Sequence, residues 1–415
     1  GPWGRYRYVN ATGDATGPNR VINHSGSYDG IGVGENSRDP NNYHDAYNGV
    51  NDFYNPTLQM QLAGENDLKS VFTSGRYDFN QYVTFRSTAM YAERENSRQV
   101  AGYPLNSLTQ ATNPVYISPD SYYNPEPGHK LFFYGRTVEI PRVTRNNVKS
   151  LHFDASLEGS FELGTRFWNW DVGTNYNKYD VVQYGSGNLN LDNLKLALGP
   201  SFLNGDGVVQ CGSPTDPIPT TLCTPFDILG GPTASTPAAL AFINSQSQGS
   251  QQSVSKEYTA NITGGLFDLP GGEVAFAAGV EHRQVSGYDI LDQLVASGKT
   301  TDLAGGNTFG SYNVNEAYAE LNVPLLRDLP GAQLLSVNVA SRYSHYSDVG
   351  GTTNNKYSFQ WKPITDMMVR GTYAEGFRAP TLDDIAGGGS QSFDYYTDPC
   401  DTVFGAAATN AGVAA

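Results

Sequence analysis

A hydrophobic period of two residues, held over unusually long stretches, constrains this chain more than any other feature. Across residues 151–163 one series reads Leu151, Phe153, Ala155, Leu157, Gly159, Phe161 and Leu163, and the other His152, Asp154, Ser156, Glu158, Ser160 and Glu162. Successive side chains of a strand point to opposite faces, so this pattern predicts a long strand between an apolar and a polar environment. After a tight connection at Gly164-Thr165-Arg166 the alternation resumes, with Trp168, Trp170, Val172, Thr174 and Tyr176 against Asn169, Asp171, Gly173, Asn175 and Asn177. The two segments form a hairpin.

Further hairpins follow the same plan. Tyr258, Ala260, Ile262, Gly264 and Leu266 lead through the turn residues 268–272 to Val274, Phe276, Ala278 and Val280. Ala317, Ala319, Leu321 and Val323 lead through 327–331 to Leu335, Val337, Val339, Ser341 and Tyr343, and Tyr357, Phe359 and Trp361 lead through 363–366 to Met367, Val369, Gly371 and Tyr373. A weaker pair, 71–79 and 83–91, turns around Asp78-Phe79-Asn80. That makes about ten strands, each at or beyond the roughly 9–11 residues that cross a bilayer when tilted.

Period two alone does not separate a membrane barrel from a soluble sandwich, because either turns its apolar face from water. Connection lengths do. The short turns alternate with long polar connections at roughly 97–146, 183–251, 288–311 and 344–353, and with everything after Gly376. Short turns on one side and long loops on the other is the asymmetry of outer-membrane barrels, whereas sandwiches distribute loops to both ends. Strand parity requires the apolar patch at 131–140 to be strand structure inside a loop and not a crossing. Trp168, Trp170 and Trp361 stand near short turns, where an interfacial girdle belongs. Within the loops, 190–198 and 236–243 read as brief helices, and no stretch marks a domain boundary.

Composition agrees. A length of 415 residues suits one large barrel or a few soluble domains, while 16% charged residues, 46 Gly and 27 Tyr argue against helical bundles and disorder. The net charge of -15, without a Lys/Arg cluster, repels phosphate backbones, so nucleic acid is not expected as a partner. The longest apolar run, 274–280, is far short of the roughly 18 residues of a spanning helix. The start, Gly1-Pro2-Trp3-Gly4, lacks a secretory signal, so the expectation is a mature chain or one whose beginning lies elsewhere.

Catalytic chemistry is sparse. Cys211 and Cys223 lie in one loop without the further ligands of a zinc site and are expected to form a disulfide, a ring worth about 3 kcal/mol in the chain-entropy model. Cys400 is left over. The six histidines show no metal spacing and are read as structural or solvated. Gly30-Ile31-Gly32-Val33-Gly34 lacks the Lys and helix of a phosphate loop, and Asp383-Asp384 reads as a solvated pair or a helix start. No enzyme, metal or cofactor is expected. The polar series carries Asp154, Glu158, Glu162, Asp171, Glu257, Glu281, Arg283, Glu316, Glu320, Arg342, Lys356 and Arg370, which need a water-filled lumen or a folded plug if the opposite face meets lipid.

The stretch Tyr373-Ala374-Glu375-Gly376-Phe377-Arg378-Ala379-Pro380-Thr381 resembles a signature of the barrel domain of TonB-dependent outer-membrane receptors. Gly279-Val280-Glu281-His282-Arg283, residues 316–325, Ala340-Ser341-Arg342-Tyr343-Ser344 and Trp361-Lys362-Pro363 support the likeness, which is strongest over about 151–385. The loop Cys223-Thr224-Pro225-Phe226-Asp227-Ile228-Leu229-Gly230-Gly231 resembles a large branch of that family. The resemblance implies an antiparallel transmembrane β-barrel of roughly 22 strands, of which residues 1–415 supply about ten, with long external loops and short periplasmic turns. It further implies a plug filling the barrel, cargo bound by plug and external loops, and the TonB complex acting on the plug. The plug, the TonB box, the remaining strands and the terminal aromatic residue are not recognised in this sequence.

The expected function is therefore part of an energised importer of a scarce nutrient such as a siderophore, carbohydrate or peptide, with outer-membrane lipid and the TonB complex as partners. Two other readings are a passive pore or adhesin, and a secreted β-sandwich binding module. Tyr122, Tyr123, Tyr395 and Tyr396 are residues that could stack sugars, and acidic loops could meet cationic peptides.

Overall fold

The structure is a computed structural model and describes residues 1–415 apart from 48–50, 111, 393–396, 402–404, 411 and 413–415. Tyr395 and Tyr396 thus lie outside the described residues. The strands, in chain order, begin with β1 (Arg5–Val9), β2 (Ala15–Ile22), β3 (Tyr43–Asp45), β4 (Glu65–Asn80), β5 (Val83–Val100), β6 (Pro104–Asn106) and β7 (Leu131–Arg136). They continue with β8 (Arg142–Leu163), β9 (Arg166–Leu189), β10 (Ser201–Leu203), β11 (Val209–Ser213), β12 (Asp216–Pro217), β13 (Asn244–Leu269) and β14 (Gly272–Ile290). The last are β15 (Thr308–Leu329), β16 (Ala332–Tyr346), β17 (Gly350–Ile364) and β18 (Met367–Ala374). Helices α1 (Leu191–Ala197), α2 (Pro237–Ile243), α3 (Gln293–Ala296) and α4 (Leu382–Ala386) lie outside them.

Ten strands form one antiparallel sheet in the order β18-β17-β16-β15-β14-β13-β9-β8-β5-β4. Each long strand pairs with its neighbour in sequence, so the turns at 81–82, 164–165, 270–271, 330–331 and 365–366 share one side. Helices α1 and α2 occupy the two stretches expected to be helical, and β7 falls inside a loop, outside the large sheet. Among the described residues no helix is long and apolar enough to cross a membrane.

Register ties the apolar residues of all these strands to one face. One row runs Leu157, Val172, Ala260, Val280, Ala317, Tyr343, and another runs Phe161, Trp168, Gly264, Phe276, Leu321, Val339, Tyr357, Tyr373. Glycine makes room for the indoles: a side chain at Gly159 would strike Trp170, and one at Gly264 would strike Trp168. Val172 is 42% exposed and Val280 56%, so among the described residues nothing covers this face there.

Three connections differ from the expectation. The link expected over 344–353 shrinks to 347–349, because β16 and β17 pair through Tyr346↔Gly350. The first hairpin turns at 81–82 and not at 78–80. Strands β9 and β13 run on to Leu189 and back to Asn244, well into what reads as loop. Where both faces are wet, no hydrophobic period marks a strand, and the Ser/Gln run of 245–255 is held by main-chain pairing with β9 and β14.

The long connections share a core of their own. Strands β3-β2-β1-β7-β6 form a five-stranded sheet, and Tyr6, Ile22 and Phe133 from it pack with Leu191, Leu194, Phe226, Leu229 and Ile243 from the 190–243 connection. We call this body the cap. It belongs to the long-loop side of the large sheet.

Candidate functional site

The face opposite the apolar one collects the charges. A single register row reads Glu158, Asp171, Asn261, Gly279, Tyr318, Arg342, and side chains link along it. Asn261 Nδ2 donates to Asp171 Oδ2 at 2.7 Å, and Tyr318 Oη donates to Asn261 Oδ1 at 2.9 Å. The Arg342 guanidinium lies 5.3 Å from the centre of the Tyr318 ring and donates to Glu316 Oε2 at 3.2 Å. Glu281 takes Arg283 at 3.6 Å and Arg342 at 3.9 Å, and Glu320 accepts from Asn338 at 2.6 Å and from Lys356 at 3.5 Å. Glu158 accepts from Arg86 at 2.8 Å, and His152 Nε2 lies 3.1 Å from Asp154.

The same alternation puts Glu162 and Arg370 on this face, Arg370 beside Gln360. The side chains of Glu281 and Glu316 are only 15% and 6% exposed, shielded by their partner Arg342. Charges gathered on one face need water or a polar occupant. Asn261 and Tyr318 were not singled out in the sequence, although Tyr318 sits in the polar series.

The Gly376-Phe377-Arg378-Ala379-Pro380 motif is where the chain leaves the sheet. Glu375 N still donates to Asn355 O at 3.0 Å, the Phe377 ring stands 5.8 Å from that of Tyr346, and Arg378 pairs with Asp384 at 3.1 Å. Thr381 and Asp384 then form a capping box that starts α4, the helix-start reading of Asp383-Asp384. Leu382 packs where any side chain at the paired Gly287 and Gly310 would collide with it, and Asp383 accepts from Thr308 at 3.0 Å. The motif thus bends the chain back over β14 and β15.

In the cap, Cys211 and Cys223 are disulfide-bonded and Cys400 is free and exposed. The following residues enter the core: Phe226 and Leu229 are buried, and Asp227 between them accepts from Ser37 Oγ at 2.6 Å and from Gly230 N at 2.9 Å. Burial pushes the Asp227 carboxyl above its usual range against these hydrogen bonds. A raised folded value stabilises the cap at low pH, and that contribution fades as pH climbs from the ordinary carboxylate range through the raised value. Asp227→Asn is expected to keep the bond from Gly230 N on its Oδ1, to donate from Nδ2 to Ser37 Oγ instead of accepting, and to flatten this pH dependence, read as protease resistance of the cap between pH 4 and 8.

Two histidines read as unrelated in the sequence converge. His24 Nε2 and His44 Nε2 lie 3.1 and 3.0 Å from the same oxygen, Asp52 Oδ1, and Tyr47 N donates to Oδ2 at 2.7 Å. Burial opposes the Asp52 charge, but the Tyr47 N–H and the two imidazoles hold the carboxyl below its usual range. His24 stacks on Trp3 with ring centres 3.6 Å apart. Among the described residues no group of three His, Cys, Asp or Glu has metal-holding geometry. Tyr122 is engaged by Arg38, which lies 3.8 Å over its ring, and meets Tyr123 edge to face. The glycine run near residue 30 is loop, with Ile31 O accepting from Trp3 Nε1 at 2.7 Å.

Residues 224–412 match the family model described as TonB dependent receptor-like, beta-barrel. Residues 224–412 thus carry part of the β-barrel domain of a TonB-dependent receptor. Among solved structures it is similar to the siderophore receptor PiuA from Acinetobacter baumannii, at 14% identity and a TM-score of 0.31, over 75% of this chain and 46% of that one. None of the curated proteins matches the chain. The chain spans less than half of the solved receptor it resembles.

Proposed function

We propose that this chain is part of an outer-membrane transporter that imports a scarce nutrient, such as a siderophore, carbohydrate or peptide, with energy delivered by the TonB complex. The observation that carries the reading is the division of one ten-stranded sheet into an exposed apolar face and a charged face linked by ion pairs. The apolar face meets lipid. Asp154, Glu158, Glu162, Glu281, Arg283, Glu316, Glu320, Arg342 and Arg370 face a lumen, where they contact a plug or passing cargo. The cap stands on the outer side and the short turns in the periplasm. Strand β4, 16 residues long and exposed throughout, and β18 at the other end are open edges, and further strands of the same barrel would complete them. Plug and remaining strands would come from flanking sequence.

The test is nutrient-limited growth of the source bacterium, comparing strains lacking the receptor, lacking TonB, or lacking both. The same nutrient dependence in the two single deletions, with no further loss in the double, is expected. Uptake that needs the receptor but continues without TonB would point to a passive pore instead.

A further inference from the structure

We propose that the apolar face carries, along its edge toward the long loops, a binding surface for the phosphate groups of lipid headgroups, built on Lys149, Lys178 and Lys256. On β8 the apolar series from Leu163 to Leu151 ends at Lys149. On β9 the series from Trp168 to Tyr176 ends at Lys178, and on β13 the series from Leu266 to Tyr258 ends at Lys256. Register carries the line from strand to strand: Lys178 pairs with Leu151 and Lys256 with Tyr176, so each lysine stands two residues along from the one before. Such an oblique line is the edge of a membrane drawn across tilted strands. With strands about 4.8 Å apart and about 3.3 Å per residue, neighbouring lysines of the line are spaced by about 8 Å, so two long side chains can share one phosphate. Further on, the line runs level through His282, Asn315 and His345 and holds no lysine.

The surroundings leave these lysines available. Strands β8, β9 and β13 lie inside the sheet, with β14 on one side and β5 and β4 on the other, so neither open edge borders the line. Lys149 lies 3.5 Å from Glu93 and Lys178 3.0 Å from Asp180, and the four side chains are 29–50% exposed. Exposed pairs of this kind are worth little, so a phosphate can take the place of either carboxylate. Asp180 stands one step further from the apolar series than Lys178, level with Lys149, and leaves the lipid side of Lys178 open. Lys256 is exposed and forms no ion pair among the described residues. The alkyl stems of all three can lie along the apolar face while the ammonium groups meet the headgroups. Tyr176 and Tyr258, last in their series, add phenol donors at the same level. Lysine takes phosphate as a point charge, and each lysine at a membrane surface adds to the attraction for anionic lipid.

The inference rests on the reading of the apolar face as lipid-facing. The test places the whole receptor, in a Cys400→Ser background, in phosphatidylcholine vesicles, with a bimane fluorophore on Leu151→Cys or, for comparison, on Tyr343→Cys beside His345. Brominated phosphatidic acid and brominated phosphatidylcholine serve as quenchers that report which lipid stands next to each label. Beside Leu151→Cys, phosphatidic acid is expected to be held about fivefold more tightly than phosphatidylcholine, the factor one lysine supplies at a membrane surface. Beside Tyr343→Cys the two lipids should compete equally. Lys149→Gln, Lys178→Gln and Lys256→Gln together should bring the ratio at Leu151→Cys close to one, and Lys195→Gln, in α1, should leave it unchanged. Inorganic phosphate at matched ionic strength should not compete. The comparison of the two labels needs no lysine variant, so it decides should the triple variant fail to insert. Equal affinity beside Leu151→Cys, the same preference at both labels, a ratio untouched by the triple variant, or loss of the preference to inorganic phosphate would overturn the surface while leaving the import reading in place. Absence of quenching by either lipid at both labels would overturn the lipid-facing reading and the surface with it.

Discussion

Val172→Arg is expected to remove most of the receptor from the outer membrane. Val172 lies midway along the outward series of β9, between Trp168 and Tyr176, with Leu157 and Ala260 beside it in the register. It is 42% exposed with no described residue over it, and in the proposed importer lipid is its neighbour. An arginine at the bilayer midplane of a barrel costs about 2–4 kcal/mol. Much of the stability of a typical protein is no larger than a few times that figure. The amount of folded, heat-modifiable receptor in outer-membrane fractions is the readout, and it should drop severalfold. Asn169→Arg, on the inward series of the same strand, should leave it nearly unchanged.

Phe133→Ala is expected to unfold the cap and spare the barrel. Phe133 is fully buried in the middle of β7, opposite Tyr6, and its N–H donates to Ser107 Oγ at 3.0 Å. Emptying such a site costs about 3–5 kcal/mol, a large share of what a small core can supply. The readout is limited proteolysis from outside intact cells: new cuts should appear within 101–141 and 190–243, while the long strands stay protected. Simultaneous loss of both would mean that cap and barrel fold as one unit.

The long strands are legible in the sequence where one face is apolar along its length. Leu151 to Leu163 and Trp168 to Tyr176 alternate because one face is dry, and the register joins them as the alternation requires. Beyond the dry zone that constraint ends. The polar run of 245–255 is strand all the same, held by hydrogen bonds that leave no mark in side-chain polarity. The cap was less legible still. Its short strands find distant partners, Arg5 beside Tyr134 and Asn106 beside it, and no local pattern announces such a pairing. For the same reason His24, His44 and Asp52 read as unrelated residues until the fold brought them to one carboxylate oxygen. The charges of the polar face stand in the polar series, but their linkage through Asn261 and Tyr318 depends on cross-strand register and not on spacing along any one strand.

If one sheet separates lipid from a polar lumen, adjacent residues along β8 and along β9 meet opposite surroundings. Nitroxide labels placed singly at Phe153, Val172, Asp154 and Asp171 of the whole receptor in bilayers report collision with oxygen, which prefers lipid, or with a nickel chelate, which prefers water. Oxygen access is expected at Phe153 and Val172 and lower oxygen access at Asp154 and Asp171, with the preference reversing at each step along β8 and β9. Equal aqueous access at all four positions, or access that does not alternate, would contradict it.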